Sequence, residues 1–329
     1  MLFGQILLLA VGILLLIKGS DFFVDAGSAI GKTLKINELL LGFTIVSFGT
    51  SLPELIVALT SAQAGSNEIA LGNILGTNLF NICAILAVIA IIKPIQFKKE
   101  TVRKDMYMSV LTAFVLMILM ADKWISGDSV NILSRIDGLI LLSLFAVFMY
   151  YTLYSWLDIW NERKAKNEEV KLKLKDIDTL TKNIFLMLLG LTMVFIGANA
   201  SVDAVEKIAE MLGISETFIA ILVVAVGTSL PEIFTSITAI KKGKQDIAVG
   251  NLIGSNMFNV LFVLGTAATI SPIPLQMDSL VIDALTFFLM TIILVLHAKG
   301  GKKYELGRGE GFCLLAIYVM YAIYVIVRG

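Results

Sequence analysis

The stretch Gly49-Thr50-Ser51-Leu52-Pro53-Glu54 returns unchanged as Gly227-Thr228-Ser229-Leu230-Pro231-Glu232, 178 residues further along a chain of 329. The same offset lays Gly72-Asn73-Ile74-Leu75-Gly76-Thr77-Asn78-Leu79-Phe80-Asn81 on Gly250-Asn251-Leu252-Ile253-Gly254-Ser255-Asn256-Met257-Phe258-Asn259. From Val46 to Leu86 the two copies share 18 identities in 41 positions without a gap. The register reaches back to Gly19, Val24, Asp25 and Ala26, which meet Gly197, Val202, Asp203 and Ala204. Packing alone does not explain why the best-matched stretch is also the most polar part of its apolar surroundings.

Those surroundings are apolar throughout. Hydrophobic residues make up 57% of the chain, charged residues only 16%, and mean hydropathy is +0.89. A soluble domain carries roughly a quarter charged residues, so lipid is the expected solvent. A spanning helix needs about 20 apolar residues. Ten runs approach that length: Leu2–Ile17, Leu39–Ser61, Ile69–Ile92, Met106–Ala121, Ile136–Leu157, Ile184–Ala200, Phe218–Ile240, Ile247–Ser271, Leu280–Leu296 and Phe312–Val327. Each copy of the motif belongs to a set of five. Five is odd, so the second set enters the membrane from the opposite side. The expectation is an all-α membrane protein of ten transmembrane helices in two inverted five-helix repeats, with the site at their interface. Residues 1–157 hold the first repeat, 158–183 a charged cytoplasmic linker and 184–329 the second.

Lysine and arginine set the orientation. Of the 26, 22 lie in loops after odd-numbered runs and 4 in the termini and the remaining loops. That places the linker in the cytoplasm and both termini outside, in a multi-pass protein of the cell inner membrane. The first run is preceded by no basic residue and followed by Lys18, the reverse of a signal peptide, so it is read as a retained span. Zero net charge gives no reason to expect a nucleic-acid partner, and no obligatory protein partner is evident beyond the lipid bilayer.

Glu54 and Glu232 fall deep within apolar runs, where a carboxylate costs several kcal/mol unless it faces a cavity and a partner. The spans offer no lysine or arginine beside them, so the two carboxylates call for a cation. Pro53 and Pro231 each remove one helical hydrogen bond and displace the carbonyls of Gly49 and Gly227, next to Thr50 and Thr228. Broken backbone at membrane depth is tolerated where it lines a cavity. Thr77 and Ser255 add hydroxyls; Asn73, Asn78 and Asn81, with Asn251, Asn256 and Asn259, add amides. An all-oxygen inventory suits hard cations. Two bidentate carboxylates and two threonine carbonyls supply about six of the roughly 6–8 oxygens calcium takes. The same atoms, regrouped, could hold several sodium ions.

Other features carry less. Gly27-Ser28-Ala29-Ile30-Gly31-Lys32-Thr33 resembles a phosphate loop but has three residues between its glycines instead of four. Cys83 and Cys313 lie in apolar runs and read as packing residues. The lone His297 rules out a histidine-cluster metal site.

The doubled GTSLPE and GNxxGxNxFN blocks resemble the alpha repeats of the cation/calcium exchanger superfamily. They are closer to its sodium/calcium branch, with prokaryotic members, than to the proton/calcium branch. The resemblance covers nearly the whole chain. It implies no cofactor and two transported ions, Ca2+ and Na+, usually three sodium inward for one calcium outward. By that resemblance Glu54, Glu232 and the carbonyls of Thr50 and Thr228 form the calcium site. The sodium sites use both glutamates, the carbonyls of Ser47 and Ala225, and the hydroxyls of Thr50, Thr77, Thr228 and Ser255. Asn81 and Asn259 flank the centre. Some relatives carry Asp where Asn259 stands; asparagine leaves a site charge of −2 and argues against potassium co-transport.

The rival reading is a proton/cation antiporter on the same fold, disfavoured because no intramembrane His or Asp extends a relay. A channel fits less well, since pore rings come from oligomeric symmetry. An intramembrane enzyme lacks its paired aspartates, histidine-bearing metal or activated serine, so no enzyme activity is expected.

Overall fold

The computed structural model describes residues 2–63, 67–121, 131–165, 174–212, 227–275, 278–300 and 304–328, nearly all of them helical. Among these residues seven helices are long and apolar enough to cross a membrane: Leu2–Leu34, Ala70–Ile92, Arg135–Tyr154, Asp176–Met211, Gln245–Ile270, Leu280–Gly300 and Arg308–Val327. Glu38–Thr50 and Leu52–Gln63, on either side of a break at Ser51, together make an eighth. The fourth expected span is the Asp105–Leu119 helix, only 15 residues long. The seventh begins within residues 213–226, outside the described residues, and continues as the Leu230–Lys241 helix.

Local chemistry sets several helix ends. Asn37 caps Glu38–Leu41 by accepting from the Leu40 N–H at 2.7 Å. Ser134 and Asp137 cap Arg135–Ala165 reciprocally: the Ser134 N–H donates to Asp137 and the Asp137 N–H donates to the Ser134 hydroxyl. Leu230–Lys241 stops at Gly243, whose φ of 72° is open to glycine at little cost.

The described residues fall into two compact units, and each draws on both halves of the sequence. One comprises Met1–Thr50, Ala146–Ile219 and Leu230–Asn251; the other comprises Ser51–Phe145, Ala220–Ser229 and Leu252–Gly329.

In the first unit Leu2–Leu34 lies along Leu174–Met211, and glycines permit the approach. A Cβ on Gly19 would meet the Gly190 carbonyl at 2.7 Å, and one on Gly197 would meet the Gly12 carbonyl at 2.7 Å. Gly12 and Gly19 are the repeat counterparts of Gly190 and Gly197, so the contact pairs each glycine with the other's counterpart. Small residues at such crossings let backbones pack closely in lipid. Beside this seam, Phe23, Val24, Leu41, Val46, Ala239, Ile247 and Ala248 form a buried cluster. The outward positions Phe3, Ile6, Leu7 and Leu14 are apolar and exposed, as lipid contact requires.

Both seam helices run well past the expected spans Leu2–Ile17 and Ile184–Ala200. Apolar windows mark only the lipid-facing stretch, while the helix continues as long as its polar residues find partners. Asp21 and Asp25 do so with Lys242, at 3.0 and 2.6 Å, and Asp25 also with Lys244 at 2.9 Å. Burial alone pulls the Lys242 ammonium down, but hydrogen bonds to Asp25 and Asp21 outweigh it and hold its pKa above the usual lysine range.

In the second unit Ile95–Gln96 pairs antiparallel with Glu305–Leu306, and Asn131–Leu133 pairs with Ile273–Leu275. Each short ladder joins the two halves of the chain. The helices that follow do the same. Phe80 meets Tyr318 with ring centroids 5.4 Å apart, and Phe258 meets Phe145 at 5.0 Å. Gly138 packs on Gly265 and Thr269, while Gly311 packs on Ala87 and Ile91. Cys83 is a buried free thiol, as a packing residue should be; Cys313 is a free thiol on the exposed side of its helix and does not pack.

Candidate functional site

Two helices stand apart by burial. The most apolar window of Gln245–Ile270 is 94% buried and that of Ala70–Ile92 is 78% buried, against 50% or less for the other unbroken candidate spans. These are the helices that carry the two asparagine-rich blocks. Each loosens at the same place: π-helical turns cover Asn81–Ile85 and Phe258–Leu264, with Asn81 and Asn259 at or next to their starts. Single π turns inside α-helices recur at functional sites.

The motif prolines mark helix starts and do not remove a bond from a helix interior as expected. The chain breaks at Ser51, and Pro53 is the second residue of Leu52–Gln63; Pro231 is likewise the second residue of Leu230–Lys241. A proline in the first turn forfeits no helical bond. Glu54 and Glu232 are therefore third in their helices, where unpaired N–H groups and the helix dipole favour a negative charge. Both glutamates are fully buried, as are Ser47, Thr50, Thr77, Ser255, Asn81 and Asn259. Thr228 is partly exposed, and Ala225 lies outside the described residues.

The site residues of the first unit form a chain of hydrogen bonds. The Thr50 hydroxyl donates to Asn251 Oδ1 at 3.0 Å, with the Ser47 carbonyl at 3.3 Å. Asn251 Nδ2 in turn donates to the Ser236 hydroxyl at 3.0 Å. In the second unit the Thr228 hydroxyl donates to Asn73 Oδ1 at 3.2 Å and lies 3.4 Å from the Thr77 hydroxyl. It also approaches the Glu54 carboxylate, short of a complete hydrogen bond. Thr50 and Thr228 are repeat counterparts, as are Asn251 and Asn73, so one relationship is made twice.

Four amides close a ring in the second unit. Asn78 Nδ2 donates to the Asn256 backbone carbonyl at 3.2 Å, and Asn256 Nδ2 donates to that of Asn78 at 3.1 Å. Asn81 Nδ2 donates to Asn256 Oδ1, and Asn259 Nδ2 donates to Asn78 Oδ1. Every ring nitrogen is engaged. Asn81 Oδ1, Asn259 Oδ1 and both Glu54 oxygens are buried with no donor among the described residues. Each unmet acceptor costs about 1–3 kcal/mol unless a ligand supplies the missing positive partner. These four oxygens lack donors, which is what a cation relieves.

Sequence reasoning missed three features. Asn78 and Asn256 read as ligands, but both their amide oxygens accept from other amides, so they position Asn81 and Asn259. Ser236 carried no signal because its repeat counterpart is Ala58. Asp283 overturns the expectation that no aspartate lies within a span: it is 2% exposed in Asp278–Gly300. It falls inside the expected run Leu280–Leu296, so the sequence alone could have found it.

The chain is similar to known proteins over nearly its full length. It is 32% identical to the inner membrane protein YrbG of Escherichia coli (strain K12), across 95% of this chain and 94% of that protein. It is 27% identical to the sodium/calcium exchanger MaX1 of Methanosarcina acetivorans, across 96% and 97%. Among solved structures it superposes on the sodium–calcium exchanger NCX_Mj with a TM-score of 0.81 at 28% identity, covering 97% of this chain and 98% of that one. The model of the sodium/calcium exchanger protein family matches residues 4–154 and 182–327, and the chain therefore belongs to that family.

Proposed function

We propose that this multi-pass membrane protein is a secondary active antiporter that exchanges sodium for calcium by alternating access at a site built on Glu54 and Glu232. The observation that carries the reading is the cluster of buried acceptors without donors, with Glu54 at its head. The carboxylates and the carbonyls of Thr50 and Thr228 hold calcium. The carbonyls of Ser47 and Ala225 and the hydroxyls of Thr50, Thr77, Thr228 and Ser255 serve sodium, with Asn81 and Asn259 flanking the centre. Coupling follows from charge. Two carboxylates cannot be enclosed in a low-dielectric interior without compensating cations. The empty site therefore resists the switch between sides, and only a calcium-loaded or sodium-loaded protein makes it.

The relatives support this reading: MaX1 is described as a sodium/calcium exchanger and YrbG as an inner membrane protein. The proposal includes ten crossings in two inverted repeats, with both termini outside. Purified protein in sodium-loaded vesicles should take up calcium when diluted into sodium-free medium, with no requirement for potassium. Robust uptake driven by a proton gradient without sodium would instead favour proton/cation antiport, the reading for which the buried Asp283 speaks.

A further inference from the structure

Thr50 and Thr228 are held by equivalent asparagines, but those asparagines are not held equally. Asn251 is engaged at both ends of its amide, by Thr50 at Oδ1 and by Ser236 at Nδ2. Asn73 is engaged at Oδ1 by Thr228, while its Nδ2 is buried with no acceptor among the described residues. The difference traces to one position. Ala58, fully buried, stands where the second repeat has Ser236, and a methyl group accepts no hydrogen bond.

Resting on the exchanger reading, we propose that Ser236 is a positioning residue that, through Asn251, fixes the Thr50 hydroxyl as a sodium ligand, whereas Thr228 alternates between binding sodium and donating to Glu54. A hydroxyl can ligate a cation only if its hydrogen points elsewhere. Thr50 meets this condition continuously, because its hydrogen goes to Asn251 Oδ1 and the Asn251 nitrogen is already satisfied. Asn73 has a buried N–H2 seeking an acceptor, which it finds by turning its nitrogen onto the Thr228 oxygen. The Thr228 hydrogen then turns away from Asn73, and the Glu54 carboxylate is the group it approaches. That arrangement suits an empty site, since it gives the buried carboxylate a donor. A sodium ion reverses it. The two halves of a pseudo-symmetric site thereby differ in sodium affinity, with the Thr50 half the stronger. Calcium, held by carboxylates and backbone carbonyls, is indifferent to which way the hydroxyls turn.

The test measures sodium-dependent calcium exchange in vesicles with purified, monodisperse variants, scoring half-saturation for each ion separately. Ser236→Ala should raise the sodium half-saturation about threefold to tenfold, the range that one neutral hydrogen bond spans. It should leave calcium half-saturation and maximal rate near wild type. Ser236→Thr, which keeps the hydroxyl, should restore it. Ala58→Ser should lower the sodium half-saturation by a similar factor, a gain that a merely structural role for the position does not provide. Wild-type exchange with a sodium dependence that neither Ser236→Ala nor Ala58→Ser moves would sink the inference and leave the exchanger reading standing. Equal shifts for both ions would also sink it. Wild-type protein without sodium-dependent exchange would overturn both.

Discussion

Asn81 donates through Nδ2 to Oδ1 of Asn256 at 2.9 Å. The relationship recurs 178 residues on, where Asn259 donates to Asn78 at 3.1 Å. These bonds fix which end of each amide is left over: nitrogen inward to the ring, oxygen without a donor. A potential ligand is thus oriented by a residue that is not itself one.

Asn259→Asp tests the ring. A carboxylate in place of the amide has no hydrogen to give Asn78 Oδ1 and sets a negative charge against it. Exchange by the variant should fall several-fold, about the effect of losing one buried hydrogen bond. Wild-type exchange by the variant would show that the ring does not need a donor at this position. Asn259→Ala, which orphans Asn78 Oδ1, should cost about 1–3 kcal/mol of stability.

Glu54→Gln and Glu232→Gln should each weaken calcium binding by about 2 kcal/mol or more, at least tenfold, because one opposite charge at contact distance is worth a few kcal/mol even at moderate effective dielectric. The folded protein should persist, since a neutral amide is cheaper to bury than a carboxylate. Asp25→Asn lies outside the proposed site and loses only partly exposed ion pairs, so its effect should stay within about 1 kcal/mol. Calcium binding and sodium-driven flux on monodisperse protein decide the matter; near wild-type exchange by Glu54→Gln would remove the two-carboxylate site.

Gly19→Ala and Gly190→Ala should each lower thermal stability in detergent by about 1–3 kcal/mol, as overpacking does. The added methyl of either would sit within 2.7 Å of backbone across the seam. Gly4→Ala, with nothing within 4 Å of its added carbon, is the matched control and should be neutral or slightly stabilising. Equal melting temperatures for all three would mean that the seam relaxes without penalty.

Cysteine labelling from outside intact cells should reach tags at both termini and at Asn67 but not Lys171→Cys, as the 22-to-4 division of basic residues requires. The opposite pattern would invert the assigned topology.

The sequence by itself determined the features whose signals are local or repeat in register. Apolar runs announced the membrane helices, because lipid leaves no alternative partner for a backbone. The doubled GTSLPE, with charge and proline in apolar runs, singled out Glu54 and Glu232 before any geometry was known. What only the tertiary structure decided are the partners. Asn78 meets Asn256, Thr50 meets Asn251, and Ile95 meets Leu306, each pair separated by most of a repeat or more. Such partners are chosen by how helices and strands from the two halves pack against one another, and no local periodicity encodes that choice. The same packing set Ser236 against Asn251 and buried Asp283, and it divided the asparagines into those whose amide oxygens accept from other amides and those whose oxygens are left without a donor. Hydrogen-bond capacity belongs to a residue type and can be read from a sequence; which capacity remains unspent depends on the neighbours that only folding supplies.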